Sequence, residues 1–236
     1  MQRKNKPITA CMVGASAVGK TSLMDAYINQ RFRPDHKRTI GADFLTTSLT
    51  RDDEKFCFKI WDTEENDSAF TETGSSCMSS VFKFEESFDI YFACVDLTNY
   101  NSLHYLDAAL NKLSREHRGN TEIVLVATKI DRSDKPCIAY KSLQDFIAKH
   151  NITHYIKTSA QTYDNGSVTA LFEEALVRAI VRRTQAAIPA TQTIDAAQQE
   201  KIASFFKLFD QAKQGWLAEH PEADEAQFVI KLNPAK

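Results

Sequence analysis

Apolar residues in this chain fall in short unbroken runs that alternate with segments of helical spacing. Ile8-Thr9-Ala10-Cys11-Met12-Val13, Asp89 to Asp96 and Glu122 to Ala127 are near-continuous apolar runs, as strands covered on both faces should be. Phe44–Thr50 and Lys55–Trp61 flank the turn-like Arg51-Asp52-Asp53-Glu54 and predict an antiparallel hairpin. Tyr155-Ile156-Lys157 reads as a short last strand. Leu23, Ala26, Tyr27 and Phe32 recur at roughly helical steps, and helices are predicted over 20–30, 101–117, 140–149 and 167–184. Asn101 and Ser102 are the candidate caps of the second helix. Strands and helices alternating from residue 7 to 184 argue for an α/β layer fold on a mostly parallel sheet.

Two stretches break the pattern. The Ser/Thr/Glu-rich segment Thr63–Ser80 has no clean period and reads as a mobile loop. Composition then shifts near residue 185, where Ala186 to Thr193 reads as a linker. Beyond it, Ile202, Phe205, Phe206, Phe209, Ala212 and Trp216 form one apolar helix face, with Asp195 able to cap its start. The reading gives a domain over 1–184, a linker over 185–194, and an amphipathic helix with an acidic tail over 195–236.

A chain of 236 residues can bury one sizeable core with a small appendage. The formal net charge of -2 gives no reason to expect nucleic-acid binding. Cys11, Cys57, Cys77, Cys94 and Cys137 lack metal-ligand spacing, and their odd number suits reduced thiols in a cytosolic setting. The basic start Met1–Lys6 leads straight into a core strand rather than a signal peptide, and no stretch approaches a membrane span.

The first apolar run ends in Gly14-Ala15-Ser16-Ala17-Val18-Gly19-Lys20-Thr21, which fits the P-loop pattern. Backbone N–H groups of such a loop, with those of Ser22 at the helix start, curl around phosphate oxygens, and Gly14 and Gly19 allow close approach. Lys20 supplies a point charge to the outer phosphates, and Thr21 a hydroxyl to magnesium.

With that loop in place, the residues downstream resemble a Rab-type small GTPase of the Ras superfamily over about 7–184. Phe32 and Thr39-Ile40-Gly41-Ala42-Asp43-Phe44 look like its first switch, with Thr39 at the family spacing after Thr21. The resemblance implies that Thr39 binds magnesium and the γ-phosphate and that Phe32 lies against the guanine. Lys59-Ile60-Trp61-Asp62-Thr63 is similar to the Rab segment ending the third strand, where Asp62 would hold magnesium through water. Thr128-Lys129-Ile130-Asp131 looks like the guanine-reading motif, with Thr128 in place of the usual asparagine. Asp131 would accept hydrogen bonds from the base N1–H and N2–H₂, and Lys129 would lie along the base. Thr158-Ser159-Ala160-Gln161 resembles the last base-contacting loop, with Gln161 where lysine is usual. The implied fold is the small-GTPase fold, a six-stranded mostly parallel sheet flanked by helices, here with a C-terminal helical extension. The implied ligands are GTP or GDP and Mg²⁺.

The second switch departs from this pattern. The family has Asp-Thr-Ala-Gly-Gln where this chain has Asp62-Thr63-Glu64-Glu65-Asn66. Glu65 still offers the N–H that meets the γ-phosphate, but it adds a negative charge beside a triphosphate. Asn66 carries the water-orienting amide on a stem one methylene shorter. Slow GTP hydrolysis is the expectation, with Lys20, Thr39 and Asn66 as the catalytic candidates. A partner that supplies the missing amide is the open alternative. The family usually ends in prenylated cysteines. No cysteine follows Cys137, so no prenyl anchor is expected and any membrane contact would be peripheral.

The resemblance therefore implies a cytoplasmic nucleotide switch that recruits effector or regulator proteins through its two switches in membrane traffic. A divergent protist GTPase and a host-mimicking bacterial effector acting in the host cytosol both fit. The rival reading is a pseudo-GTPase, a binding module without turnover.

Overall fold

Among the described residues six strands form one sheet, in the spatial order 42–51, 54–63, 8–13, 90–96, 122–128 and 154–157. A computed structural model describes residues 6–34, 42–51, 54–63, 87–116, 121–132, 137–162 and 167–186. The strands are β1 (Ile8–Val13), β2 (Ala42–Arg51), β3 (Glu54–Thr63), β4 (Ile90–Asp96), β5 (Glu122–Thr128) and β6 (His154–Lys157). Helices α1 (Lys20–Asn29), α2 (Tyr100–Glu116), α3 (Tyr140–Lys149) and α4 (Ser167–Ala186) accompany them. The β2–β3 hairpin is antiparallel and every other pairing is parallel. This is the mixed, mostly parallel sheet flanked by helices that the apolar runs predict.

β1 lies at the centre, where Ala10 pairs with Ile60 of β3 on one side and Ile90 of β4 on the other. All residues of β1 and β4 are buried, because a parallel strand with helices over the sheet meets no water on either face. Side-chain alternation then splits the core. Cys11, Val13, Tyr91, Ala93, Val95, Leu125 and Ala127 turn to one face, where Leu106 and Leu110 of α2 and Phe146 of α3 cover them. Because β1, β3, β4 and β5 run parallel, their last residues gather at one end of the sheet. The strand order also reverses at β1, which opens the crevice where α/β sheets bind ligands.

The chain divides into two units, Met1–Tyr163 and Asp164–Lys236. All six strands belong to the first. The described part of the second is α4, whose buried residues Val168, Leu171, Phe172, Ala175, Leu176 and Ala179 recur at helical steps. Arg178 and Glu174 form an i,i+4 ion pair on it at 3.5 Å. α4 runs on to Ala186, past the expected end at 184. The segment 64–86, the rest of the expected linker and the expected helix over 195–236 lie outside the described residues. None of the described helices is long and apolar enough to cross a membrane.

The caps expected at Asn101 and Ser102 are corrected to Asn99, two residues before the first of them. The helix starts at Tyr100, and it is Asn99 whose side-chain oxygen accepts the Asn101 N–H at 3.1 Å. Ser102 is instead wholly buried and joins the helix to β4. Its Oγ donates to the Asn99 carbonyl at 2.6 Å, has the Asp96 carbonyl at 3.2 Å, and accepts the Asp96 N–H at 3.1 Å. Removing that hydroxyl takes away the side-chain partner of the buried Asp96 N–H, while the Asp96 and Asn99 carbonyls keep the Asn99 and Ser102 N–H groups. Ser102→Ala should lower stability by about 1–3 kcal/mol in urea unfolding, whereas Ser114→Ala, on the exposed side of α2, should change it little.

Candidate functional site

At the strand ends the backbone departs from regular structure in a cluster. Gly14 has φ 152, Ala17 φ 60, Gly19 φ 104 and Lys129 φ 59. Gly14 and Gly19 frame the loop between β1 and α1. A Cβ on Gly14 would stand 2.4 Å from the Cys94 carbonyl oxygen, so the first glycine seats the loop against β4. Among the described residues nothing stands nearer than 4.0 Å to a Cβ on Gly19, and its glycine answers to φ instead. As N-cap of α1 it offers no side-chain oxygen to the first-turn N–H groups, which leaves the helix start shaped for an anion.

Lys20 is buried, and its ammonium donates to the carbonyls of Gly14 at 2.7 Å and Ala15 at 3.0 Å. It thus spans the loop that precedes it. Thr21 donates its hydroxyl to the Asp62 carboxylate at 2.5 Å. Those two are hard oxygen donors from the helix start and from β3, and this donor chemistry suits a magnesium ion. They are the residues that would hold it. Asp62 lies within β3, one residue before its end at Thr63, which donates to the Met12 carbonyl at 3.1 Å. Ser22 sits in the first turn of α1, and Phe32 lies half-buried beyond Gln30, the left-handed residue that ends the helix. Thr39, Glu65 and Asn66 lie outside the described residues.

The segment after β5 locks onto this loop. Thr128 is buried, and its Oγ1 lies 2.7 Å from the Val18 carbonyl and 3.1 Å from that of Val95. Lys129 donates to the Ala17 carbonyl at 2.8 Å and to Asp96 Oδ2 at 2.6 Å. The left-handed turns at Ala17 and Lys129 present these groups to each other. Asp131 is exposed, but Ser159 Oγ donates to its carboxylate at 2.5 Å. Ser159 itself is wholly buried and accepts the N–H groups of Gln161 and Thr162, each at 3.1 Å. Its position is that of a group aiming Asp131, while Ala160, half-buried, follows it in the loop. The Ile130 N–H donates to the Thr158 carbonyl at 3.3 Å and holds the two loops together.

A phosphate-type loop, a paired hydroxyl and carboxylate, and an aimed aspartate therefore share one end of the sheet. Comparison with known proteins agrees with that arrangement. The Ras family model matches residues 9–182. The chain belongs to the Ras family. Within it the protein is Rab-like. It is 32% identical to the Ypt/Rab-type GTPase Rab7 of Neurospora crassa over 164 residues, covering 67% of this chain and 76% of that one. It is equally similar, at 32% over 168 residues with the same coverage, to the GTP-binding protein yptV5 of Volvox carteri.

In this Ras-family member one central residue escaped the sequence reading. Asp96 ends β4 and carries the Lys129 ion pair, and its Oδ1 also accepts the Thr98 N–H at 2.9 Å and hydroxyl at 2.7 Å. The available signal was the Asp-x-Thr turn after a buried strand. Burial works to raise the Asp96 carboxyl. Hydrogen bonds from Lys129 and Thr98, with the Lys129 charge, outweigh it and hold the group below its ordinary value of 3.8. A depressed carboxyl contributes stability above its unfolded value, and that contribution is lost as pH falls through the folded one. Asp107 behaves alike: burial raises it, and Lys149 and His150 bring it lower overall. Thermal melts of the wild type should therefore drop as pH falls below about 4. Asp96→Asn should melt lower at neutral pH and show a shallower acid decline, keeping the share due to Asp107.

Proposed function

We propose that this Rab-like protein is a guanine-nucleotide switch that hydrolyses GTP slowly and recruits partners in membrane traffic. The observation that carries the reading is the clamp of the 128–131 segment on the phosphate-type loop, through Thr128 to Val18 and Lys129 to Ala17. It would hold a phosphate cradle at a set distance from the aspartate that would read the base. Lys20 would release its two loop carbonyls and turn to the outer phosphates. Thr21 and Asp62 would hold Mg²⁺, which offsets phosphate charge. Partner recruitment in traffic is supported by the likeness to Ypt/Rab-type GTPases. Working membrane contact would be peripheral and cytoplasmic.

Base reading has its own test. An aspartate accepts two bonds from guanine, whereas an asparagine amide must donate one. Asp131→Asn should weaken GTP binding by roughly tenfold to a hundredfold and favour xanthosine triphosphate, whose carbonyl replaces the guanine amino group. Unchanged competition between the two nucleotides would remove Asp131 from the base site.

Slow turnover rests on Glu64-Glu65-Asn66 in the second switch. Single-turnover hydrolysis with magnesium should leave loaded GTP largely intact for hours. Replacing the triplet with Ala-Gly-Gln should raise the rate about tenfold or more. Prompt conversion by the wild type would overturn the slow-switch reading. Failure to bind either GTP or GDP would favour the pseudo-GTPase reading.

A further inference from the structure

Among the described strands, β2 has β3 on one side and no strand on the other. All ten of its residues pair with β3 in unbroken register, from Ala42 opposite Thr63 to Arg51 opposite Glu54, so no bulge twists the edge away. The strand holds neither proline nor lysine, and its two charged residues, Asp43 and Arg51, fall near its ends. Asp43, Phe44, Thr46 and Ser48 are exposed, with Phe44 retaining 51% of its accessible surface. An open row of backbone donors and acceptors is a template for another strand.

The sequence of β2 is complementary to itself. Centring an antiparallel pair on Thr47 sets Thr46 against Ser48, Leu45 against Leu49, Phe44 against Thr50 and Asp43 against Arg51. In the sequence, unlike charges fall at both ends of this pairing and leucines between them, a pattern that stabilises adjacent strands. Each residue also meets one an even number of places away. Groups that point outward on one strand therefore meet outward-pointing groups on the other. Self-complementarity of this kind is what a two-fold interface requires, and a net charge of -2 opposes it little. We propose that the edge of β2 docks the β2 of a second copy, antiparallel about Thr47, to give a symmetric dimer with a continuous twelve-stranded sheet.

Sedimentation equilibrium of the full-length protein tests this. An edge pairing is smaller than a standard interface, so the wild type should be measurably dimeric at roughly 0.1 mM. T46K/S48K and T46E/S48E each set like charges against one another across the pair and should be monomeric. An equimolar mixture of the two should recover a one-to-one dimer, which also shows that both variants are folded. In a second pair, R51D should weaken the dimer at least tenfold and D43R/R51D should restore it. A wild type that stays monomeric, variants that remain dimeric alone, or a mixture that stays monomeric would each overturn the proposal.

Discussion

The functional end of this protein depends on how closely the loop after β1 lies on β4. The Cys94 carbonyl occupies the place where any Cβ on Gly14 would go. That contact lowers the loop onto the sheet, and everything else at the site is built on the lowered position. From there Ala17 and Val18 present their carbonyls to Lys129 and Thr128. Lys20 reaches back over the loop it follows. A loop raised by one methyl group would miss these partners by more than a hydrogen bond can stretch.

A second layer of support comes from strand ends rather than from loops. Asp96 and Thr128 are directly paired across β4 and β5. Their register is set by buried apolar neighbours such as Phe92 opposite Val124. Hydrophobic packing thus places two polar residues side by side, one holding Lys129 and the other holding the loop. Ser102 carries the same support into α2, so the helix, the strand and the 128–131 segment share one network.

Most of the fold was legible in the sequence because parallel strands are covered on both faces and show it as unbroken apolar runs. The hairpin was legible from its turn, with its strands two residues longer at some ends than the apolar residues suggest. The phosphate-type loop stood out through glycine and lysine spacing, yet the reason for Gly14 did not. Close approach to phosphate was the expectation, whereas the atom that excludes a side chain is Cys94 O, some eighty residues distant in the chain. Asp96 and the buried role of Ser159 were hidden for the same reason. Each acts through a residue far along the sequence, Lys129 for one and Asp131 for the other, and spacing carries no trace of a contact made by folding. Helix α2 shows the smaller failure: Asn99, Asn101 and Ser102 are all chemically fit to cap, and only the path of the backbone selects Asn99.

The threonine at 128 has a consequence of its own. A hydroxyl owns one proton, yet two carbonyls face it, Val18 at 2.7 Å and Val95 at 3.1 Å. Loop and strand are thus rivals for a single hydrogen, and the loop holds the better share. Any motion that brings β4 nearer to Thr128 draws that proton away from Val18, so a sheet distortion too small to disturb the core is converted into slack in the loop.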